Sequence, residues 1–246
     1  MFYESFGSGR PIVFLPGWGG NNGEDQAIHE PVFAHRSGWR RIYVDPPGTN
    51  NRPGEPSITD QDGMLDAIAQ TIEDALGEED YAVAGTSAGG LHARGLIKRD
   101  PARVLGLLLR VPGVVADRTL RTLPTDEHLD RSPEYVAAEQ AKDELYYDPA
   151  ERSADLEFLG RIQADPSTYA LRDDPAVRFT RPTLIVTGRQ DTVTGYADAW
   201  GLLDDYPTAT YAVLDQEDHG LPVRRPALYQ ALVADWLDRM EAQKFG

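Results

Sequence analysis

Short apolar runs alternate with longer helix-like segments along most of this chain, and this alternation limits its fold more than any other feature. The apolar runs are rich in Val, Ile and Leu and do not alternate with polar residues, as expected for parallel strands covered on both faces. Strands are predicted at 12–15, 41–45, 81–85, 104–110, 183–187 and 210–214, with an edge strand at 2–6. Helices are predicted at 59–76, 88–99, 194–203 and 226–240. The sequence therefore predicts an α/β fold with a mainly parallel sheet.

Residues 114–181 break this alternation, because no convincing strand lies among them. Two stretches of this segment, EYVAAEQAKDELYY and AERSADLEFLGRIQ, have helical character. A plain connection between strands is usually a few residues plus one helix, which is much shorter. We therefore predict a helical insertion at 114–181 on an α/β core made of residues 1–113 and 182–246. The insertion follows a strand whose C-terminal end faces any active site of such a fold.

The composition disfavours several classes of function. The chain has 40 acidic and 24 basic residues and a formal charge of −16, which disfavours binding to nucleic acids and to anionic membrane surfaces. It also disfavours polyanionic substrates that meet no local basic pocket. The absence of cysteine excludes disulfides, thiolate metal sites and cysteine nucleophiles. No apolar run has the length of a signal peptide or a membrane span, so we expect a cytoplasmic protein.

The segment GTSAGG at residues 85–90 contains the pattern G-x-S-x-G, with Ser87 at its centre. A serine on a sharp turn between a strand and a helix has a strained backbone, and side chains two residues away on either side would collide. Gly85 and Gly89 remove those side chains, and the Ala88 amide at the start of the helix can donate to an oxyanion. The pattern is weak alone, since a glycine-rich loop between a strand and a helix also satisfies it. Ser87 is a candidate nucleophile because of this strand and helix context.

A serine hydroxyl needs a general base, and the chain has five histidines. His219 lies in DQEDHG, after the last predicted strand and before the final helix, and so at the same sheet edge as the serine. His92 lies on the helix that leads away from the serine, where packing or surface display is expected. His29 and His35 lie near the first glycine-rich loop and are candidates for lining an entrance, whereas His128 lies in the insertion. His219 is the predicted base.

The base needs an acid that fixes its tautomer and stabilises the imidazolium. Asp191 comes directly after a predicted buried strand, in a turn opened by Gly188. Asp215 and Asp218 are closer to His219 in sequence, but they are expected to cap its loop or to form a solvated acidic rim. The predicted acid is therefore Asp191, which gives the chain order Ser, Asp, His.

FLPGWGG at residues 14–20 follows the first buried strand, and its glycines let backbone amides approach a ligand closely. The Trp18 amide is the predicted second oxyanion donor, beside Ala88. A plain Pro-Gly turn with Trp18 in the core is the alternative, and the other three parts of the site make it less favoured. No His-Glu-x-x-His or similar motif is present, and we expect neither a metal nor a cofactor. The acidic residues of DQEDHG are explained as surface residues.

With these parts together, the sequence resembles the α/β-hydrolase superfamily, in the branch of small lidded serine esterases and C–C hydrolases. YESFGSGRPIVFLPGWGG is similar to the family's opening strand, turn and oxyanion loop, and VDPPGTNNRPG resembles its loop D-x-P-G-x-G-x-S. The serine turn, the G-x-x-D turn at 188–191 and the final D-H-G complete a likeness that covers most of the chain. The resemblance implies a mostly parallel, doubly wound sheet of about eight strands, with a helical lid inserted after strand six.

The sequence departs from the family pattern in two loops. The frequent His-Gly before the oxyanion residue is replaced by Pro16-Gly17, which leaves the backbone donor intact. Asn50 and Arg52 replace the usual Gly and Ser of the second loop, which predicts an unusual pocket mouth. Ser87 excludes the branches with an aspartate nucleophile, namely the haloalkane dehalogenases and epoxide hydrolases.

The implied reaction is acyl transfer in two steps, with a small to medium ester or thioester as the small-molecule acyl substrate. In it Ser87 attacks the carbonyl carbon, His219 takes the serine proton and Asp191 orients the histidine, while the two amides bind the oxyanion. Hydrolysis of C–C bonds or amides, acyl transfer and cofactor-free peroxidase chemistry use much the same triad and stay open. A non-catalytic binding protein of this fold is disfavoured by the intact triad. Dinucleotide binding fails because GTSAGG lacks the spacing G-x-G-x-x-G.

Several further side chains are candidates for the pocket or its support. Arg110, at the end of the strand before the insertion, could pair with a substrate carboxylate, although a structural salt bridge is the expected role. Four aromatic residues of the insertion could form apolar pocket walls, although packing within the lid is expected for most: Tyr146, Tyr147, Phe158 and Tyr169. None of these features indicates the oligomeric state.

Overall fold

The computed structural model describes residues 2–172 and 177–243. The strands in this part of the chain are β1 Tyr3–Gly7, β2 Arg10–Leu15, β3 Trp39–Val44, β4 Tyr81–Thr86, β5 Val104–Arg110, β6 Thr183–Gly188 and β7 Ala209–Leu214. They form one sheet of seven strands in the order β1-β3-β2-β4-β5-β6-β7. β1 pairs antiparallel with β3, and the remaining pairs are parallel. The predicted α/β class is confirmed, with seven strands where the resemblance implied about eight.

Helices cover both faces of this sheet. The α-helices within the described ranges are α1 Asn22–Phe33, α2 Gln61–Leu76, α3 Ala88–Arg99, α4 Pro133–Lys142, α5 Asp148–Ser153, α6 Leu156–Gln163, α7 Ala197–Trp200 and α8 Pro226–Ala242. α2 and α3 pack on one apolar layer, and α1 and α8 pack on the other. The sheet is therefore doubly wound, and every strand end that carries a candidate residue opens at the same edge. None of the helices in the described residues is long and apolar enough to cross a membrane.

The helix α1 was not predicted from the sequence. It has Pro31 in its interior and no apolar stripe, because its buried residues are mostly polar: Asn22, Asp25, His29 and Phe33. The local signal that marks its start is Asn21, whose side chain accepts a hydrogen bond from the Gly23 N–H. A search for apolar periodicity does not detect such a helix, since its buried face is mostly polar.

The segment 114–181 connects β5 to β6 and lies after the fifth strand in chain order, where the resemblance implied the sixth. In its described part, 114–172 and 177–181, it contains helices but no strand. α4 continues into a π-helical turn, Asp143–Tyr147, as the first predicted helix suggested. The second predicted helix is divided into α5 and α6, because the Asp155 side chain accepts from the Phe158 N–H and starts a new helix.

Candidate active site

Ser87 lies on the turn between β4 and α3 and has φ 53° and ψ −115°, a strained conformation for a residue with a side chain. The glycines around it are required by close backbone contacts. A Cβ on Gly85 would lie 2.2 Å from the Gly89 carbonyl oxygen, and a Cβ on Gly89 would lie 2.1 Å from the Leu15 carbonyl oxygen. The glycines therefore give the clearance that the G-x-S-x-G pattern predicts.

The structure brings the three predicted triad residues into one hydrogen-bonded chain. The His219 Nε2 atom lies 3.1 Å from Ser87 Oγ, and His219 Nδ1 lies 3.0 Å from Asp191 Oδ2. Because the carboxylate can only accept, Nδ1 carries the proton and Nε2 is free to accept from the serine hydroxyl. The side chain of His219 is 25% exposed, whereas that of Asp191 is fully buried. This arrangement can move a proton from Ser87 to His219.

The Asp191 carboxylate is held by its own turn as well as by His219. The backbone N–H groups of Val193 and Thr194 donate to Oδ1 at 2.8 and 3.0 Å, and the Thr194 hydroxyl donates to Oδ2 at 2.7 Å. Burial alone would raise the pKa of Asp191, but the hydrogen bond and charge of His219, together with the Thr194 bonds, outweigh it and lower the pKa. Thr194 was not singled out from the sequence. Its local signal was the spacing D-x-x-T, which lets the threonine N–H and hydroxyl bond to an aspartate three residues earlier.

Trp18 and Ala88 reach the serine from two segments, the loop after β2 and the first residue of α3. A Cβ on Gly17 would lie 3.5 Å from the Ser87 Cβ, so this loop lies against the serine. The Ala88 N–H is in the first turn of its helix and has no carbonyl partner there. The indole of Trp18 packs edge-on against the Tyr169 ring, with centroids 5.0 Å apart. Both residues line the cavity in front of the serine, and their role as oxyanion donors stays a prediction.

The other histidines lie away from this chain of hydrogen bonds. Burial lowers the pKa of His29 to about 3 and that of His92 to about 4, so both are neutral packing residues. His35 and His128 are exposed. The suggestion that His29 and His35 line an entrance is wrong, because neither is among the residues around the cavity. His92 packs in the interior, as expected for a residue on the helix after the serine.

The acidic residues before His219 have different roles. Asp215 is exposed and accepts a bond from Gln190 Nε2, while Asp218 accepts from the Gly220 N–H and caps the loop as predicted. Glu217 is 1% exposed, so the prediction of a surface residue is wrong for it. Its carboxylate is surrounded by the backbone N–H groups of Val223, Arg224 and Arg225, which donate at 2.7 to 3.0 Å. The turn that brings these amides together forms only in the folded chain, and no local pattern marked it.

Arg110 forms the structural salt bridge that was expected. It is 1% exposed, and its Nη2 atom lies 3.0 Å from Glu24 Oε2 and 3.5 Å from Asp25 Oδ1. These negative charges outweigh burial and raise the pKa of Arg110. Its Nε donates to the Thr86 hydroxyl at 3.0 Å, and Nη1 donates to the Leu221 carbonyl. Arg110 thus joins α1, the strand that ends beside the serine and the loop that follows the histidine.

The candidate triad opens into a cavity of about 1110 Å³, slightly larger than most small-molecule sites. The aromatic residues of the segment 114–181 that line it are Tyr146, Tyr147 and Tyr169. Phe158 does not line it, because its ring packs against Gly48 and Gly54 in the loop after β3. Within residues 2–172 and 177–243, no group of three or more His, Asp or Glu side chains is arranged to hold a metal ion.

Asn50 and Arg52 support their own loop and do not form a pocket mouth. The Asn50 amide donates to Asp45 Oδ2 at 3.0 Å, and Arg52 Nη1 donates to the Asp45 carbonyl at 2.9 Å. The Arg52 guanidinium also lies 4.1 Å from the centre of the Phe2 ring. The expectation of an unusual mouth is wrong, since neither residue lines the cavity.

Comparisons with known proteins agree with this fold. Residues 10–143 match the family model described as the alpha/beta hydrolase fold. The chain is 28% identical to the pimeloyl-[acyl-carrier protein] methyl ester esterase of Aeromonas salmonicida, over 94% of this chain and 96% of that protein. It is 21% identical to a 2-hydroxy-6-oxononadienedioate/2-hydroxy-6-oxononatrienedioate hydrolase of Cupriavidus pinatubonensis, over 85% of this chain and 78% of that protein.

Solved structures show the same fold. A crystal structure of an alpha/beta superfamily hydrolase from Oenococcus oeni PSU-1 superposes with a TM-score of 0.84 at 24% identity, over 98% of this chain and 96% of that one. The family model covers more than half of the chain and includes both candidate oxyanion residues and the serine turn. The chain belongs to the α/β hydrolase fold family and is a hydrolase of the esterase type.

Proposed function

We propose that this hydrolase is a serine carboxylesterase that cleaves small to medium esters or thioesters through an acyl-enzyme intermediate. The observation that carries the proposal is the chain of hydrogen bonds from Ser87 through His219 to Asp191, with contacts of 3.1 and 3.0 Å, at the wall of a large cavity. A serine, a base and an orienting acid in this geometry are what nucleophilic acyl transfer requires.

In the proposed reaction, Ser87 Oγ attacks the carbonyl carbon while His219 Nε2 takes the serine proton. The Trp18 and Ala88 amides donate to the developing oxyanion. His219 then gives the proton to the leaving alcohol or thiol, and the acyl-enzyme forms. A water molecule next loses its proton to His219 and attacks the acyl carbon, which releases the acid and restores the serine. Asp191 stabilises the imidazolium in both halves of the reaction.

The substrate proposal draws on the cavity and the relatives. We propose that the segment 114–181 forms a helical lid over the core, since three tyrosines of this segment line the cavity. The Aeromonas relative is named as a methyl ester esterase, which favours ester cleavage. The Cupriavidus relative is named as a hydrolase of a dienedioate and makes C–C bond hydrolysis the second candidate. The two candidates share the triad and differ in the bond that is cleaved.

The test uses the Ser87→Ala variant beside the wild-type protein. We expect wild type to hydrolyse p-nitrophenyl esters of graded chain length and to react covalently with a fluorophosphonate at Ser87. The variant should lose both properties, with turnover reduced by about 10⁴-fold or more. Equal labelling of wild type and variant would show that Ser87 is not the nucleophile.

A parallel substrate panel separates the two candidate reactions. A vinylogous 1,5-diketone and a matched amide are assayed beside the esters. Faster turnover of the diketone than of every ester would replace the esterase proposal with C–C hydrolysis. Labelling at Ser87 without turnover of any substrate in the panel would contradict both.

A further inference from the structure

His219 lies in the middle of a loop, residues 216–224, which we call the base loop. On one side the core holds this loop. The Gln190 N–H donates to the Glu217 carbonyl at 3.0 Å, and Arg110 donates to the Leu221 carbonyl. The carboxylate of Glu217 also closes the far end of the loop, as described above. These contacts hold Glu217 and Leu221 from the side of the core.

The neighbours of His219 are held from the other side by α4 of the segment 114–181. The Tyr135 hydroxyl donates to Asp218 Oδ2 at 2.8 Å, and Lys142 Nζ donates to the Gly220 carbonyl at 2.7 Å. Gly220 leaves room for this ammonium, since a Cβ there would lie 1.8 Å from Lys142 Nζ. The two donors are the buried tyrosine near the start of the helix and the lysine at its end. One helix therefore donates hydrogen bonds both to the residue before His219 and to the residue after it.

Further contacts continue the same interface along the base loop. The Asp130 N–H donates to Gln216 Oε1 at 2.7 Å, and Arg224 Nη1 donates to Asp130 Oδ2 at 2.7 Å. The Arg224 guanidinium lies 3.7 Å from the centre of the Tyr135 ring, so the tyrosine is itself held in place. Lys142 is oriented in turn by Glu139, 3.8 Å away. Residues 130–142 and the base loop thus form one continuous contact.

We propose that Tyr135 and Lys142 are positioning residues that hold His219 at hydrogen-bonding distance from Ser87. His219 then lies at hydrogen-bonding distance from Ser87 only while α4 is packed against the base loop. The inference rests on the proposed function, because it concerns the same proton transfer. The imidazole is 25% exposed, so packing around the ring does not fix it alone. A displacement of about 1 Å at such a contact can lower the rate by as much as about 100-fold.

The test compares Tyr135→Phe, Lys142→Met and the double variant with wild type. Each change removes one donor and keeps most of the side chain. We expect each single variant to lose part of kcat and the double variant to lose about ten-fold, with a smaller change in KM for a small p-nitrophenyl ester. The second-order rate of labelling by a small fluorophosphonate should fall in parallel, since it reports on the Ser87–His219 pair without a large acyl group.

Two control variants separate positioning from general damage to the helix. Lys142→Arg keeps a donor at this site and should recover most of the kcat that Lys142→Met loses. Val136→Ala changes an exposed residue of the same helix, 41% exposed, and should leave kcat within about two-fold of wild type. Thermal unfolding of every variant is followed by circular dichroism, so that rates are compared between folded proteins.

The inference is overturned if the folded double variant labels and turns over within about two-fold of wild type. It is also overturned if the loss appears only in KM or only in the melting temperature, since those changes indicate a pocket wall or a structural role. The proposed function fails separately, when wild type neither labels nor hydrolyses esters, and this inference then fails with it. If the double variant does not fold, the single variants decide by the same criteria.

Discussion

The Asp191 carboxylate is fully buried, yet it accepts hydrogen bonds from His219, from the Thr194 hydroxyl and from two backbone N–H groups. An isolated carboxyl group in this position would be protonated, because burial penalises the charge. The surrounding donors reverse that effect and lower the pKa of Asp191. A negatively charged Asp191 is what keeps the proton on His219 Nδ1 and leaves Nε2 to accept from the serine.

This lowered pKa predicts how Asp191 contributes to stability as the pH changes. A carboxyl whose pKa is lower in the folded state than in the unfolded state stabilises the fold above its unfolded pKa of about 3.9. That contribution is lost as the pH falls through the folded-state pKa. We expect the excess stability of wild type over Asp191→Asn to be present above about pH 4 and to shrink below that pH.

Urea unfolding of both proteins above and below this pH measures the difference. Asp204→Asn, which removes one exposed negative charge, is the matched control and should show a much smaller change. A difference between wild type and Asp191→Asn that does not shrink below about pH 4 would contradict the lowered pKa.

Single residues differ in how clearly the sequence indicates their roles. Ser87 was marked by the glycines on either side, and the positions of Asp191 and His219 after strands placed them at one sheet edge. Glu217 was misread because its three donors come from residues 223–225, and nothing in DQEDHG marks a buried acid. Such a group is visible only when the loop that surrounds it is known.

At the scale of elements, one side chain at the start of α6 joins this helix to the loop after β3. Asp155 accepts from the Phe158 N–H at 3.1 Å and from the Gly54 N–H at 3.2 Å, and its own N–H donates to the Gly48 carbonyl at 2.9 Å. The carboxylate therefore caps the helix and joins it to the loop after β3. Phe158 fills the space that Gly48 and Gly54 leave open beside it.

We expect Asp155→Ala to lower the free energy of unfolding by about 1–2 kcal/mol, because both N–H groups lose their acceptor. Urea denaturation measures the change. Glu157→Ala, an exposed position on the same helix, is the control and should change stability by less than about 0.5 kcal/mol. Equal effects of the two variants would show that the Asp155 cap does not join α6 to the loop.

The elements themselves were predictable where the local signal is apolar. Each predicted strand is present, with ends that differ by at most two residues, because buried parallel strands are continuous apolar runs. α2, α3 and α8 were also predicted. α1 was missed since Asp25 and His29 occupy its buried face, where they bond to residues distant in sequence.

At the scale of the whole molecule, a formal charge of −16 surrounds a cavity whose lining includes cations. Arg110 is neutralised by Glu24 and Asp25, whereas Arg121 donates to the carbonyls of Val115, Ala116 and Val193. The net field outside the cavity is negative and repels anionic substrates over about a Debye length. Neutral esters do not experience this repulsion.

We expect kcat/KM for a p-nitrophenyl ester that carries a distal carboxylate to rise a few-fold as ionic strength increases from about 0.02 to about 0.5 M. The value for the neutral ester of equal length should stay nearly constant and serves as the control. A fall in kcat/KM for the anionic ester would show that the cavity cations, and not the net charge, govern the approach of the substrate.

The sequence by itself determined the parallel sheet, the tight serine turn and the order of the candidate triad. Apolar runs and glycine spacing are local properties of the chain, so they can be identified without knowing which distant segments meet in the fold. The tertiary structure alone decided the surroundings of Glu217, the buried pairing of Arg110 with α1 and the hydrogen bonds from α4 to the base loop. Each of these joins segments far apart in sequence, and the distances and burial that define them exist only when the whole chain is packed.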